Sequence, residues 1–322
     1  MAVLTTLYEP IAKDLEKVCQ IFDDELFSDL PLINDLCAHV RQYRGKLLRP
    51  ALLLLSGKAC GKTTDVHLTL AAVVEMVHMA TLVHDDVLDD ADLRRRCPTI
   101  NRLEGNEAAV LLGDYLISHA FHLCSSLGSQ HASRVIAATT NIVCEGELQQ
   151  VHHRGDFNLG LDDYLQIITR KTASLTGACC RLGAHFAGAG TETAANLERY
   201  GLAVGIAFQI TDDILDIIGS EKRMGKTLGR DLQKSKLTLP VIHCLTRADD
   251  TLRKELHLLL AGSNPDRNRL RNLLETTDSI NYSLHAARDY IESAIARLDD
   301  LPPSQARHSL SRLARLIISR EQ

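Results

Sequence analysis

No C-x-x-C pair occurs in this chain and its nine cysteines are an odd number, so neither a disulfide framework nor a structural zinc site is indicated. The adjacent Cys179-Cys180 is not a zinc pattern, and the thiols read as core filler. Proline is scarce, at 8 of 322 residues, and no low-complexity linker or block of like charge splits the chain. With 45% apolar and 24% charged residues, disorder is excluded. Long apolar runs are also missing: Pro50-Ala51-Leu52-Leu53-Leu54-Leu55 falls far short of the about 20 residues of a membrane span, so no transmembrane segment is expected. Glu9, Asp14 and Glu16 interrupt the first apolar pattern, which lacks the basic flank of a signal peptide, and a cytoplasmic protein is predicted. A net charge of -5 offers no general attraction to nucleic acid, so any anion site must be built locally.

Sustained period-2 alternation is absent too. Instead, apolar residues recur at i, i+3, i+4 and i+7 through 8–22, 67–88, 106–127, 131–152, 162–187, 192–218, 237–247, 279–298 and 304–319. Glycines such as Gly105, Gly128, Gly155 and Gly188 punctuate these segments. The fold class is all-α, and a single domain over 1–322 is expected in place of two. Apolar faces needing burial on more than one side predict a homo-oligomer, with a two-fold homodimer the commonest choice.

Seven Asp-Asp dipeptides occur, beginning at 23, 85, 89, 162, 212, 249 and 299, and only those at 85 and 212 have a third Asp four residues after the first. Positions i and i+4 lie about 40° apart around a helix, so Asp85 and Asp89 project side by side, as do Asp212 and Asp216. Like charges at this spacing repel and Asp is a poor helix former, so each cluster, with Asp86 and Asp213 included, reads as an acidic clamp awaiting a cation. Oxygen-only donors suit Mg2+, which typically takes one or two carboxylates plus substrate phosphates. A diphosphate held between two clamps is the implied ligand. Basic residues that could bind it stand at Lys46, Arg49, Arg94, Arg95, Arg96, Lys171, Lys226, Arg230 and Lys236. Thr172, His78 and Gln209 join the candidates, whereas His84 reads more readily as a packed, hydrogen-bonded ring.

The run from Glu75 to His84 into the first clamp, then Asp92-Leu93-Arg94-Arg95, Gly105-Asn106, Gly113-Asp114-Tyr115, Lys171-Thr172-Ala173, Phe208-Gln209, the second clamp, Gly225-Lys226, Asp231 and Lys236-Leu237-Thr238-Leu239-Pro240, resembles the trans-polyprenyl diphosphate synthases. The likeness is greatest to bacterial octaprenyl diphosphate synthases. It implies a large helical bundle of the isoprenoid synthase type around a central cavity, and a transferase that condenses isopentenyl diphosphate onto an allylic diphosphate such as farnesyl diphosphate. By resemblance, Asp85, Asp89 and Asp212 are direct magnesium ligands with Asp86, Asp213 and Asp216 close behind. Arg94, Lys171, Thr172, Gln209, Lys226 and Lys236 hold the allylic diphosphate, and Lys46, Arg49, His78 and Arg95 hold isopentenyl diphosphate. Asp85, Asp89, Lys171, Gln209 and Asp212 are the expected catalytic set. The sequence departs from the pattern where Arg44, Arg96 and Ser235 replace common glycines.

Small residues at Ala80 and Thr81, with Val77 a turn earlier, predict room for a tail longer than farnesyl or geranylgeranyl, and the resemblance implies an octaprenyl product for a quinone side chain. The alternatives are a short-chain synthase or the non-catalytic subunit of a two-component synthase, the latter opposed by two intact clamps. A ferritin-like di-iron bundle would need a second Glu-x-x-His beside Glu75 and His78. A P-loop would need the first glycine of its motif before Gly61-Lys62-Thr63 or Gly225-Lys226-Thr227.

Overall fold

The computed structural model describes residues 6–219, 229–262 and 266–319. It divides into two compact units, one of Met1–Asn141, Leu175–Gly201 and Arg297–Leu313, the other of Ile142–Ser174, Leu202–Ala296 and Ala314–Gln322.

The first unit opens with a 3-10 turn (Glu9–Ile11) and helices α1 (Ala12–Glu25), α2 (Pro31–Arg41), α3 (Leu48–Cys60) and α4 (Asp65–Leu88). Helix α5 (Ile100–Ser126) follows, and Gly105, at φ 86° and ψ 167°, makes a kink within it where the sequence predicts a break. Helix α4 is the core element, packed by α1, α3 and α5. It is long and apolar enough to suit a membrane span, but most of its apolar stretch is buried inside the protein. Helix α3 carries no periodic signal because residues Pro50 to Gly57 are all buried, and a helix apolar on every side shows no stripe.

The N-terminus of α4 is fixed by an unusual capping box in which His67 takes the place of Glu or Gln. The His67 ring is fully buried. Its Nδ1 accepts from the Thr64 amide at 3.0 Å, and its Nε2 donates to the Gly183 carbonyl at 3.0 Å. Burial depresses its pKa, favouring the neutral ring these bonds require. Gly183 lies in α8 (Ser174–Phe186), and a Cβ there would sit 2.1 Å from the Leu53 carbonyl oxygen of α3.

Between α4 and α5 runs a two-residue β-ribbon that the helical pattern did not predict, Leu93–Arg94 (β1) against Cys97–Pro98 (β2), paired Leu93 to Pro98 and Arg94 to Cys97. Its turn holds Arg95 at φ 51° and Arg96 at φ 69°, the left-handed pair a tight hairpin turn demands and glycine adopts most cheaply. Ser235 is also left-handed, at φ 50°. Two of the three replaced glycines therefore fall where the backbone favours glycine.

The second unit takes in α6 (Gln130–His152) from Ile142 onward, α7 (Leu161–Ile168) and α9 (Thr191–Ile218) from Leu202 onward. It continues with α10 (Arg230–Gln233), α11 (Leu239–Arg247), α12 (Asp250–Leu260), α13 (Arg267–Thr276) and α14 (Ser279–Ala296), while α15 (Gln305–Ile318) contributes its end. Helices α12 and α13 escape the sequence pattern because only three leucines of each are buried on otherwise polar turns. One continuous helix expected over 162–187 is interrupted by a π-helical turn at Thr169–Ala173. A Cβ at Gly146 would lie 2.5 Å from the Lys171 amide nitrogen, so α6 approaches this turn as closely as backbone allows.

Gly183→Ala should cost about 1–3 kcal/mol through forced separation of α3 and α8. Denaturant melts check this, and a change below about 0.5 kcal/mol, the range of neutral surface substitutions, would contradict the packing.

Candidate active site

The first clamp ends α4. Asp85 and Asp89 are half-buried, whereas Asp86 is 1% exposed. The Asp89 amide closes the helix on the Asp85 carbonyl at 2.8 Å. Asp86 is gripped by Arg94 of the β-ribbon, with Nε at 2.8 Å from Oδ2 and Nη2 at 2.7 Å from Oδ1, the forked pairing that Arg makes best. The clamp thus has two outer carboxylates and a middle one that orients a cation.

Lys46, Arg49, His78 and Arg95 belong to the same unit, and the charges of Arg49, Arg95 and Arg94 act on His78. The Tyr8 hydroxyl donates to the Lys46 carbonyl at 2.7 Å. Arg95 donates to the Tyr43 carbonyl and lies so near Gly45 that a Cβ there would meet its Nη1 at 2.2 Å. His78, half-buried, is held well below its ordinary pKa by burial, then by the positive charges of Arg49, Arg95 and Arg94, which favours a neutral ring in a cationic setting. Arg44, at the third replaced glycine, ion-pairs with Asp23 and lies 4.3 Å over the Phe22 ring. Val77 and Ala80 are fully buried, and the Thr81 hydroxyl donates to the His78 carbonyl at 2.8 Å. His84 proves to be packing: Gly113 makes the notch for its ring, and its Nε2 meets the Val110 carbonyl at 3.1 Å.

The second clamp, near the end of α9, repeats the division. Asp212 is half-buried, and Asp213 and Asp216 are 4% and 5% exposed. Asp213 accepts from the Tyr164 hydroxyl at 2.7 Å and from the Gln209 amide at 2.8 Å, and Gln209 in turn accepts from Thr172 at 2.9 Å. Asp216 accepts from the Asp231 amide at 3.3 Å. Burial and then the charge of Asp231 push the Asp213 carboxyl up to about 8, against the opposing bonds from Tyr164 and Gln209 and with a further push from Asp212. Lys171, on the π turn, is paired with Glu147 and donates to Gln150 at 2.9 Å. Lys236, half-buried, follows the left-handed Ser235, and its amide donates to the Asp231 carbonyl at 2.9 Å. Lys226 lies outside the described residues.

Tyr164, Glu147 and Gln150 were not legible as site residues. Tyr164 reads as core, and a Glu-Gln helix face reads as solvated surface.

The donor set fits a divalent, oxygen-preferring ion. Both clamps supply carboxylates alone, and the Asp213 carboxyl, raised first by burial and then by the charges of Asp231 and Asp212, sits among negative charge that a cation would relieve. A separate group, Glu25, His119 and His122, has ligand atoms within 4.8 Å of one another. There both Nδ1 atoms meet one Glu25 oxygen, at 3.2 and 2.8 Å, so hydrogen bonds account for it without an ion. The Gly61-Lys62-Thr63 segment lies between two helices, α3 and α4, not after a strand, and the Thr63 hydroxyl donates to Asp14 at 3.0 Å.

The chain is similar to known proteins along its whole length. The polyprenyl synthetase family model matches residues 30–277. Octaprenyl diphosphate synthase of Escherichia coli (strain K12) is 33% identical over 322 residues, covering 99% of both chains. Component 2 of heptaprenyl diphosphate synthase of Geobacillus stearothermophilus is 36% identical over 321 residues, again with 99% of both covered. Among solved structures, a polyprenyl synthase from Caulobacter crescentus CB15, complexed with calcium and isoprenyl diphosphate, superposes with a TM-score of 0.93 at 33% identity, covering 99% of this chain and 98% of that one. With paired acidic clamps on an all-α fold and relatives matching along its whole length, the chain belongs to the polyprenyl synthetase family and is a prenyltransferase that elongates trans-prenyl diphosphates.

Proposed function

We propose that the chain condenses isopentenyl diphosphate head-to-tail onto an allylic primer such as farnesyl diphosphate, in a magnesium-dependent reaction, to make a long all-trans product of octaprenyl length for a quinone side chain. The observation that carries this reading is the repeated clamp, in which Asp85 with Asp89, and Asp212, keep partly exposed carboxylates while their buried neighbours are locked by Arg94 and by Tyr164 with Gln209. Asp85, Asp89 and Asp212 would hold the metal directly. Asp86, Asp213 and Asp216 would act from behind, through hydrogen bonds and charge. Magnesium, when bound, supplies Lewis-acid stabilisation of the allylic diphosphate.

Arg94, Thr172, Gln209, Lys171, Lys226 and Lys236 orient and neutralise that diphosphate as its C–O bond breaks. The Asp86 grip uses Nε and Nη2 of Arg94, which fixes where the rest of the guanidinium points. Glu147 and Gln150 likewise pre-position the Lys171 ammonium. Lys46, Arg49, His78 and Arg95 hold isopentenyl diphosphate so that its double bond attacks the allylic carbon. The new C–C bond forms, one C–H proton is lost, and diphosphate leaves. No side chain is assigned as general base; the departing diphosphate takes the proton.

The two compact units are proposed to be halves of one catalytic domain, a reading supported by the family match from 30 to 277, which crosses both. A homodimer in the cytoplasm is proposed as well. Leu103, Val110, Leu111 and Phe121 of α5 are exposed apolar side chains that a second copy would cover.

Purified protein given Mg2+, isopentenyl diphosphate and farnesyl diphosphate should yield, after dephosphorylation, prenyl alcohols dominated by the octaprenyl species on chromatography. Absence of any elongation, or equal elongation in excess EDTA, would refute the reading. Ala80→Tyr, placing a ring one turn before Asp85, should shorten the product to three to five isoprene units, and an unchanged distribution would remove Ala80 from length control. Arg94→Lys keeps the charge but loses the fork on Asp86. Its kcat/KM for the allylic substrate should fall about tenfold or more, the equivalent of about 1.4 kcal/mol, as read by initial-rate kinetics.

A further inference from the structure

Tyr8 is a residue that the reaction above does not use, and its hydroxyl donates to the carbonyl of Lys46, 38 positions later in the chain, at 2.7 Å. That carbonyl belongs to the peptide joining Lys46 to Leu47. A peptide is planar, so a bond to its oxygen fixes ψ of Lys46 together with φ of Leu47. Leu47 has φ 48° and ψ 41°, the left-handed conformation, and is the N-cap of α3. Bulky residues rarely adopt this conformation, and they keep it only where their surroundings hold them there. Leu has no side-chain oxygen with which to fix the start of a helix, and α3 begins without a side-chain cap. The orientation of the Lys46–Leu47 peptide therefore needs a tie from elsewhere.

Tyr8 can supply that tie because the segment carrying it is itself fastened. Leu7 and Ile11, on either side of it, are buried. Lys58, near the far end of α3, donates to the Pro10 carbonyl and pairs with Asp14 at 3.0 Å, and Asp14 also accepts from the Thr63 hydroxyl at 3.0 Å. Burial, and then the charge of Glu75, holds the Tyr8 phenol above its ordinary pKa, so the hydroxyl keeps the proton it donates. The rest of the loop before α3 is held by other elements. Arg95 donates to the Tyr43 carbonyl and lies against Gly45, and Arg44 is paired with Asp23. Of these ties, the Tyr8 bond is the one that falls on Lys46 itself. Lys46 is exposed, so packing does little to direct its side chain, and the backbone must do so.

We propose that Tyr8 is a positioning residue for the homoallylic substrate: its hydroxyl holds the Lys46–Leu47 peptide in the orientation from which Lys46 meets the diphosphate of isopentenyl diphosphate, without touching that substrate. Without the bond, the peptide turns over, Leu47 relaxes to a negative φ and the Lys46 side chain leaves from a different backbone angle. The inference rests on the reading of Lys46 given above, and its test separates the two.

Tyr8→Phe keeps the ring and removes the donor. Its KM for isopentenyl diphosphate should rise about fivefold or more, with kcat and the allylic KM within about twofold of wild type. KM does not depend on how much of a sample is folded, so a merely structural role would lower the apparent kcat and leave both KM values unchanged; that result would overturn the proposal, as would an equal rise in both KM values. Lys46→Met, measured alongside, decides which step has failed. If Lys46→Met raises the isopentenyl diphosphate KM and Tyr8→Phe does not, the tie is without consequence and the site stands. If neither does, the assignment of Lys46 falls and takes the inference with it. If Tyr8→Phe alone raises it, the effect does not run through Lys46 and the positioning role is refuted. The double variant closes the test: with Lys46 already replaced, Tyr8→Phe should change the isopentenyl diphosphate KM by less than about twofold, and a further fivefold rise would contradict the proposal.

Discussion

Carboxylates near the C-terminal end of an α-helix meet the negative end of the helix dipole as well as one another. This chain places three in the last turns of α4 and three near the end of α9. Nothing in helix stability favours such an arrangement, and much of the remaining structure can be understood as its compensation. Arg94 neutralises Asp86 from a two-stranded ribbon that has little other content. Tyr164 and Gln209 each give Asp213 a hydrogen bond, yet its pKa still rises to about 8 because burial and Asp231 outweigh them. On the proposed function, a divalent cation and a diphosphate complete what the protein leaves uncompensated.

Each clamp divides labour in the same way although its partners are unrelated. The second Asp is buried and tied, by a guanidinium in one case and by a phenol and an amide in the other, while the first stays partly exposed. Helical geometry explains why. Residues i and i+1 are about 100° apart around the axis, so when the first carboxylate faces the ligand its neighbour must point into the protein. A carboxylate in the interior needs a donor, and the donors chosen are themselves substrate-binding candidates or hold one. Asp86 orients Arg94, and Asp213 holds Gln209, which holds Thr172. On the proposed function, the middle aspartates link metal binding to phosphate binding.

The sequence made the clamps and most of the long helices legible because both are short-range patterns. The i, i+4 spacing of Asp85 with Asp89 needs no knowledge of tertiary structure, and α4 through α9 carry apolar periodicities that survive folding. Helix α3 was hidden for the opposite reason, being apolar all round, and α12 and α13 because their buried faces are three leucines wide. The π turn at Thr169–Ala173 cannot be seen from composition, since an extra residue in a turn leaves hydrophobicity unchanged. The substitutions at Arg96 and Ser235 were visible as departures from a family pattern, but only the backbone angles, φ 69° and φ 50°, say what glycine would have supplied. Tyr164 and Glu147 stayed unread for one shared reason: each is tied to another protein group, and such pairing leaves no local spacing.

Helix α4 shows how far that last point extends. Its hydropathy is that of a membrane-spanning segment, and its surroundings are almost wholly protein. A helix so enclosed has little solvent-facing side on which an ionisable residue could sit at no cost, so each one it carries must have a partner or a purpose. His67 closes the capping box and reaches Gly183; His78 stays neutral among arginines; Asp86 holds Arg94; Asp85 and Asp89 form the clamp. His84 meets the Val110 carbonyl, and Asp65 is exposed in the first turn. On the proposed function, Asp85 and Asp89, half-buried at the end of the helix, are the pair turned toward the ligand.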